Sequence, residues 1–390
     1  MRLLHTADWH IGRVFHGTSL LDDQAAVLDE IVEIARAEQP DVVIIAGDLY
    51  DRAVPPPEAV SLLDDVLSRF VLDLDMDVVL IAGNHDSPER VAFGGRLLSH
   101  ARVHVVADAL TARAPIVLFD EHGPVQVSAL PFVEPELLRR DLATLDEESV
   151  PPDVRARARA ARTPADALSV LLDVVPASSG RRVVVAHGSV VGAAESESER
   201  AVPAFFAVDV ERFSRASYVA LGHHHRAQNL SPRARYSGSP LAYAFSEADT
   251  QKSVTLVDVD AAGDLAIREA PLTRARRLAV LEGTLAELLA SPRRDLVDAY
   301  VKVRLTDDVP VLDPHARLAE VYPRLLVVEH LRLTARRDRP TPQAPRVVLD
   351  DDALFRAFHR EVVGRELDDE EAAVVEEARA TVAASERSRG

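Results

Sequence analysis

The chain has 390 residues, of which 47% are hydrophobic and 28% charged, a composition typical of a soluble globular protein with room for two or three domains. Its net charge of −18 argues against a general polyanion-binding surface, although a local basic patch is compatible with it. The sequence has no cysteine, apolar signal segment or membrane span, which excludes disulfides, thiolate metal sites and cysteine nucleophiles and predicts a cytoplasmic protein.

Apolar runs that alternate with helical spacing predict a layered α/β fold for residues 1–270. The runs that end in polar residues are predicted strands at 3–7, 41–46, 78–82, 183–186 and 217–221. Further strands are predicted at 103–106, 116–119, 125–130 and 253–258, and helices at 20–37, 58–72 and within 135–173. The segments 195–199 and 236–240 are predicted as a loop and a turn.

The pattern changes near residue 270. Residues 271–338 are predicted to form a small α+β cap domain without polar strand ends, 339–348 a proline-rich linker, and 349–390 a helical tail. The apolar stripe of each tail helix is typical of contact with a partner helix. Packing of the two helices within their own domain is the alternative.

The polar side chains at the strand ends are types that bind divalent metal ions. They are Asp8, His10, Asp48, Asn84, His85, His187, His223 and His225. Alternate side chains of an extended segment point the same way, so the Asp8/His10 and His223/His225 pairs can each present two ligands. These groups are too many to bind a single four-coordinate ion. They favour two ions about 3.5–4 Å apart, bridged by Asp48. We expect the strand ends to converge on one sheet edge.

Each motif taken alone also has a structural explanation. Asp48 after a glycine is common in turns, His187 can be a packed core histidine, and residues 223–225 can be a fortuitous cluster. Five such motifs in order, each after a buried strand, favour a site. His5 and His224 are out of register with their neighbours, and we interpret them, like the remaining histidines, as surface, packing or structural residues.

The motifs resemble the five motifs of the calcineurin-like metallophosphoesterases, in order and in strand context. The matching segments are Asp8-x-His10, Gly47-Asp48, Gly83-Asn84-His85-Asp86, His187-Gly188 and Gly222-His223-x-His225. Residues 5–13, 19–24, 46–51 and 236–240 further resemble the SbcD family of nuclease subunits. The resemblance implies a metallophosphoesterase sandwich of βαββα type, followed by a DNA-binding cap and a tail that binds an SbcC-like ATPase.

The resemblance also implies roles for single residues. One metal ion is held by Asp8, His10, Asp48 and His225, and the second by Asp48, Asn84, His187 and His223. His85 is the catalytic group, which stabilises the phosphoryl transition state or protonates the leaving oxygen. Arg13, Arg52 and Asp86 are candidates for contacting the substrate or supporting the ligands, and we expect Asp86 to orient an imidazole.

The function implied by the resemblance is that of a manganese-dependent DNA nuclease with double-strand exonuclease and single-strand endonuclease activity, acting in DNA repair, recombination and replication. Two metal ions activate a water that attacks phosphorus. The resemblance further implies a homodimer within a heterotetramer and a nucleoid-associated location. The chain has no phosphate-binding loop motif, so an ATPase partner must supply any ATP dependence. The alternatives are a calcineurin-like phosphomonoesterase or cyclic-nucleotide phosphodiesterase, and a non-catalytic scaffold.

Overall fold

A computed structural model describes residues 1–331, except 147–148, 177–179, 195 and 200–206, together with 359, 365, 368, 371–372 and 374–375. The chain separates into two compact units, residues 1–331 and 332–390. The predicted linker and nearly all of the predicted tail lie outside the described residues. Within the described part of the chain, no helix is long and apolar enough to cross a membrane.

The described elements begin with a strand at residue 2 and end with a strand at residue 330. The strands are β1 (Arg2–Thr6), β2 (Val14–Phe15), β3 (Thr18–Ser19), β4 (Val42–Ile45), β5 (Asp77–Ile81), β6 (Val103–Val106), β7 (Ile116–Asp120), β8 (Gly123–Leu130), β9 (Arg182–His187), β10 (Tyr218–Gly222), β11 (Gln228–Asn229), β12 (Ala234–Tyr236), β13 (Ser253–Val259), β14 (Leu265–Pro271), β15 (Leu278–Gly283), β16 (Tyr300–Leu305) and β17 (Leu325–His330). The α-helices are α1 (Leu21–Glu38), α2 (Pro57–Ser68), α3 (Pro88–Val91), α4 (Gly95–Leu98), α5 (Ala109–Ala112), α6 (Pro135–Ala143), α7 (Pro152–Ala160), α8 (Pro164–Val174), α9 (Leu285–Ala290) and α10 (Pro314–Ala319).

The first six-stranded sheet has the order β14-β13-β1-β4-β5-β6, in which β1, β4, β5 and β6 run parallel. Side chains of β4 alternate between two cores. Val42 and Ile44 belong to the core that also contains the second sheet, whereas Val43 and Ile45 pack with residues of α1 and α2. Because both faces of this strand are covered, its sequence is apolar throughout, which explains why an apolar run predicted it.

The second six-stranded sheet has the order β11-β12-β10-β9-β8-β7, with β8, β9, β10 and β12 parallel. Helices α6 to α8 connect β8 to β9, and their apolar residues share the core of this sheet. The two sheets with helices packed against them confirm the predicted layered α/β fold. The sequence prediction missed β11, β12 and β14, because the first two are very short and β14 is largely exposed at a sheet edge.

A third, three-stranded sheet is formed by β15, β16 and β17, which are all parallel and alternate with α9 and α10. Its apolar residues form a core of their own, which includes Leu281, Val303 and Leu318. The region predicted to be a small α+β cap thus contains both strands and helices. The division of the chain into nuclease, cap, linker and tail domains stays a prediction.

Candidate metal centre

The predicted site residues follow five strands that belong to two different sheets. β1, β4 and β5 of the first sheet are followed by Asp8, Asp48 and Asn84, whereas β9 and β10 of the second sheet lead to His187 and the histidines of residues 223–225. The expectation of one sheet edge was therefore wrong. The carboxyl ends of the parallel strands in both sheets meet at one end of the sandwich, so the site lies where the two sheets adjoin.

Glycines allow these strand ends to come close together. A Cβ atom on Gly47 would lie 2.3 Å from Nδ1 of His187, and one on Gly83 would lie 2.1 Å from Oδ1 of Asp48. At Gly222 a Cβ atom would lie 1.9 Å from the carbonyl oxygen of Ala46. These three glycines therefore leave space for a neighbouring strand end rather than serving only as turn residues.

Four of the predicted ligands have left-handed or otherwise positive backbone φ angles, namely Asp8 (56°), His10 (45°), Asp48 (50°) and His223 (112°). Such conformations cost about 1–3 kcal/mol each and persist only where the surroundings enforce them. Here the neighbouring loop supplies backbone hydrogen bonds, from Asp8 N–H to Gly47 O (3.0 Å) and from His10 N–H to Asp48 O (3.0 Å). The two loops hold each other in shapes that direct their side chains to the same place.

The first group of donors comprises Asp8, His10 and His225, whose ligand atoms lie within 4.8 Å of one another. The Nε2 atoms of His10 and His225 are 3.1 Å apart. Asp8 Oδ1 accepts the backbone N–H of His223 at 2.9 Å, while Asp8 Oδ2 is buried and has no hydrogen-bond partner among the described residues. Ligands at about 2.1 Å from an octahedral ion are separated by about 3 Å, so the spacing of these imidazoles suits such an ion.

The second group surrounds Asn84. Its Oδ1 atom lies 3.0 Å from both His187 Nε2 and His223 Nδ1. Asp48 lies between the two groups, since its Oδ2 atom is 3.5 Å from His187 Nε2 and 3.6 Å from His10 Nε2. The carboxylate predicted to bridge two ions therefore contacts both groups.

The electrostatics of this cluster suit a cation. Burial, followed by the charge of Asp48, raises the pKa of Asp8, and burial raises that of Asp48. Burial also lowers the pKa of His187 and His223 to about 3, so that both imidazoles are neutral and keep a lone pair. Repelling carboxylates, neutral imidazoles and a buried carboxylate oxygen without a donor are the complement of a divalent ion.

The ring of His187 is oriented by the backbone. Its Nδ1–H donates to the carbonyl oxygen of Ala46 at 2.8 Å. Since a carbonyl oxygen can only accept, Nδ1 carries the proton, and the lone pair of Nε2 lies on the side of Asn84 and Asp48, where it can bind a cation together with their oxygen atoms. This arrangement is the usual one for a metal-binding histidine.

His85 lies beside both groups and is only partly buried. Its backbone N–H donates to Asp48 Oδ1 at 2.9 Å, and its Nδ1–H donates to the carbonyl oxygen of Asp51 at 2.8 Å. The ring packs edge-on against His10, with centroids 4.7 Å apart. The sequence prediction missed Asp51, although its carboxylate forms a third group of close ligand atoms with His10 and His85.

The two arginine candidates differ in their surroundings. Arg13 is mostly buried, lies 4.7 Å above the Tyr243 ring and donates to Asp51 Oδ1 at 3.3 Å. Arg52 is 60% exposed, and its guanidinium lies 3.9 Å from a carboxylate oxygen of Asp51. Arg13 is therefore held at the site, whereas Arg52 projects into solvent.

Asp86 does not orient an imidazole, so this prediction was wrong. Its buried carboxylate accepts backbone N–H groups of Gly83 (2.9 Å), Leu49 (3.1 Å) and Tyr50 (3.0 Å). Asp86 thus joins the loop after β5 to the loop that follows Asp48. The sequence could not reveal this role, because the donors belong to the backbone of a loop distant in sequence.

His5 and His224 lie outside the donor groups, in agreement with the prediction. His5 is buried and joins the two sheets through the Tyr218 hydroxyl (2.8 Å) and the Leu221 carbonyl oxygen (3.2 Å). Nδ1 of His224 lies 2.7 Å from Glu199 Oε2. Both histidines therefore support the framework of the site.

Four further residues next to His225 were missed by the sequence prediction, which assigned residues 195–199 to an unremarkable loop. Ser198, Glu199 and Lys252 contact His225 directly, and Glu247 lies behind Ser198. The only available signal was weak, namely that Lys252 is one of two lysines in the chain.

Comparison with family models finds two matches. Residues 1–227 match the calcineurin-like phosphoesterase family, and residues 274–363 match a domain described as the type 5 capsule protein repressor C-terminal domain. Among curated proteins, the SbcD subunit of the nuclease SbcCD from Staphylococcus saprophyticus is 30% identical over 371 residues, which cover 94% of this chain and 94% of that protein.

Solved structures with a similar arrangement have low sequence identity. TT1561 of Thermus thermophilus is 14% identical, covering 69% of this chain and 98% of its own, with a TM-score of 0.35. A dimetal phosphatase from Danio rerio is also 14% identical, covering 70% and 99%, with a TM-score of 0.39. GAP50 of Plasmodium is 10% identical, covering 71% and 86%, with a TM-score of 0.42.

Proposed function

Because the chain belongs to the calcineurin-like phosphoesterase family and, within it, to the SbcD nuclease subunits, we propose that it hydrolyses DNA phosphodiester bonds at the donor cluster between its two sheets. The observation that carries this proposal is the contact of Asp48 with both donor groups, at 3.5 and 3.6 Å, beside an Asp8 oxygen that has no hydrogen-bond partner within the described part of the chain. Both features suit a pair of divalent ions, and we infer that these are Mn²⁺.

The ligands divide between the two ions as their contacts suggest. Asp8, His10, Asp48 and His225 hold one ion, and Asp48, Asn84, His187 and His223 hold the other. When bound, the ions would lower the pKa of a water molecule. Their positive charge would offset the negative charge of the phosphate. The neutral imidazoles and buried carboxylates keep this charge in a water-poor setting, where it acts most strongly.

His85 is the catalytic histidine in this proposal. The carbonyl oxygen of Asp51 fixes its Nδ1 proton, so that Nε2 is the atom available to the substrate. From its partly exposed position, Nε2–H of the protonated ring donates a proton to the leaving sugar oxygen. Arg13, steadied by Tyr243 and Asp51, is placed to bind a phosphate oxygen.

We further propose that the chain works in the cytoplasm, on nucleoid DNA, in DNA repair, recombination and replication. An SbcC-like ATPase binds the tail at 349–390 and supplies part of the DNA contact that an acidic chain lacks. The three-stranded sheet forms the DNA-binding cap. Two copies of the chain pair through the nuclease region, where Phe93 (85% exposed) and Leu97 (78% exposed) offer apolar surface.

The test is hydrolysis of linear duplex DNA and of single-stranded circles, compared with p-nitrophenyl phosphate and cyclic nucleotides, with Mn²⁺ present. We expect DNA to be cleaved and the small esters to be poor substrates. His85→Ala should lose at least about 100-fold in rate, as expected for general acid catalysis. The matched control is His122→Ala, at an exposed turn between β7 and β8. Activity on the small esters alone, or full activity of His85→Ala, contradicts the proposal.

A further inference from the structure

A closed ring of hydrogen bonds lies behind His225, on the side of its Nδ1 atom. Nδ1 is 2.6 Å from the Ser198 hydroxyl, which is 2.5 Å from Glu247 Oε1. The other carboxylate oxygen, Oε2, is 2.5 Å from the Lys252 ammonium, which also donates to the His225 carbonyl oxygen at 2.8 Å. The ring therefore begins and ends on the same residue.

The ion pair in this ring is buried and has further supports. The side chains of Glu247 and Lys252 are 0% and 6% exposed. The Ser196 hydroxyl lies 2.6 Å from the Ser198 hydroxyl and 2.8 Å from Glu247 Oε1, and Lys252 donates to the Ser239 hydroxyl at 3.0 Å. A buried ion pair of this kind is maintained only when its remaining donors and acceptors are satisfied, which is the case here.

The donors and acceptors of the ring fix the position of each proton. Lys252 can only donate, and the carboxylate of Glu247 can only accept. Two oxygens 2.5 Å apart repel unless a hydrogen lies between them, so the Ser198 O–H points to Glu247. The Ser196 and Ser198 hydroxyls are 2.6 Å apart, so by the same argument the hydrogen between them comes from Ser196. Only the lone pairs of the Ser198 oxygen then remain for His225. Nδ1 of His225 therefore carries the hydrogen, and its Nε2 carries the lone pair.

The lone pair of Nε2 faces the donor cluster. Nε2 lies 3.1 Å from Nε2 of His10, and the two histidines share a ligand group with Asp8. Glu199 fixes the backbone of the same loop, since its Oε1 accepts the His225 N–H at 2.6 Å. Residues 196–199 thus hold both the imidazole and the backbone of His225, although they lie more than twenty residues before it in the sequence.

We propose that Ser198, Glu247 and Lys252 are positioning residues that hold His225 in the Nδ1–H tautomer and present its Nε2 to a divalent cation. None of the three is a ligand or contacts the reacting atoms. The inference rests on the proposed function, because it assigns a support to one of the proposed ligands. It predicts that the loss of the Ser198 hydroxyl lowers the affinity for one of the two ions and leaves the affinity for the other unchanged.

Two measurements on the full chain test this inference. The first is Mn²⁺ titration followed by the electron paramagnetic resonance signal of the free ion. Ser198→Ala should bind one of two ions about 10-fold or more weakly, the usual cost of losing a residue that orients a ligand. Ser198→Thr keeps the hydroxyl and should restore binding. Ser99→Ala removes an exposed hydroxyl bonded to the Arg96 carbonyl oxygen and should bind like the wild type.

The second measurement needs no substitution of Ser198, Glu247 or Lys252. In the metal-free wild type with ¹⁵N-labelled histidine, the His225 signals, assigned by their loss in His225→Gln, should report a protonated Nδ1 and an unprotonated Nε2. An Nε2–H tautomer of His225 overturns the inference, and so does an unchanged affinity of Ser198→Ala for both ions. In either case the proposed function is still supported if the wild type cleaves DNA. A wild type that binds no Mn²⁺ overturns both proposals.

Discussion

Replacing Gly83 with alanine tests whether the strand ends must approach as closely as they do. The added Cβ would lie 2.1 Å from Asp48 Oδ1 and 2.3 Å from the Asp48 backbone nitrogen, whereas ordinary contact begins at 3.4 Å. One of these atoms belongs to the main chain, so rotation of a side chain cannot relieve the overlap. The loops after β4 and β5 must therefore separate by about 1 Å, a displacement that can cost about 100-fold in catalysis.

The displacement acts on the proposed bridging ligand. Asp48 would move relative to His10 and His187, and the hydrogen bond from His85 N–H to Asp48 Oδ1 would lengthen from 2.9 Å. We expect Gly83→Ala to fold, at a cost of about 1–3 kcal/mol in the free energy of unfolding, as for other overpacked sites. Its affinity for Mn²⁺ and its rate of DNA cleavage should both fall, by about 100-fold for the rate.

Urea unfolding, Mn²⁺ titration and single-turnover cleavage of duplex DNA measure these effects. Gly95→Ala is the matched control, because a Cβ there would meet only Val105, at 3.6 Å, and its φ is not positive. It should match the wild type in all three assays. If Gly83→Ala binds both ions and cleaves DNA like the wild type, the close approach of the loops does not matter and the reasoning is refuted.

Four other predictions address separate parts of the molecule. Asn84→Ala removes the oxygen that lies 3.0 Å from both His187 Nε2 and His223 Nδ1, so Mn²⁺ stoichiometry should drop from two to one; unchanged turnover at limiting Mn²⁺ contradicts its role as a ligand. Tyr300→Phe removes a 2.7 Å hydrogen bond to the buried Asp23 carboxylate and should cost about 2 kcal/mol in urea unfolding, and a change near zero argues against a tight contact there. Truncation after Leu331 should keep Mn²⁺ binding and abolish co-purification with an SbcC-like partner, whereas retained co-purification locates that contact elsewhere. Phe93→Glu should convert a dimer to a monomer in light scattering, and a monomeric wild type disproves the proposed pairing.

The strand ends were predictable because burial on both faces leaves a clear record in the sequence. Residues 42–45 and 78–81 are apolar without interruption, and the first polar residues after each run mark where the strand leaves the core. The assignment of strands to two sheets was not predictable. An apolar run such as 183–186 fits equally well in either sheet. The strands beside it are determined by contacts between residues that are distant in sequence.

The supporting residues were less accessible than the candidate ligands. Asp86 accepts hydrogen bonds from backbone groups whose positions depend on the left-handed conformation of Asp48, which no sequence pattern records. Ser198, Glu247 and Lys252 are separated by up to about fifty residues and become neighbours only through the fold. Their residue types are ordinary for surface loops, so a buried network could not be distinguished from solvent-exposed charges.

Helix α1 connects the donor cluster to the three-stranded sheet through two adjacent buried side chains. Gln24 accepts the Gly12 N–H at 2.9 Å and donates to the His10 carbonyl oxygen at 2.6 Å, which fixes the loop that carries His10. Asp23 accepts hydrogen bonds from Arg276 at 2.8 Å and from the Tyr300 hydroxyl at 2.7 Å. Movement of that sheet must therefore either break the bonds to Asp23 or pull on the turn of α1 that holds the His10 loop. A force on the sheet, for instance from bound DNA, would in the second case reach His10 without any contact at the donor cluster.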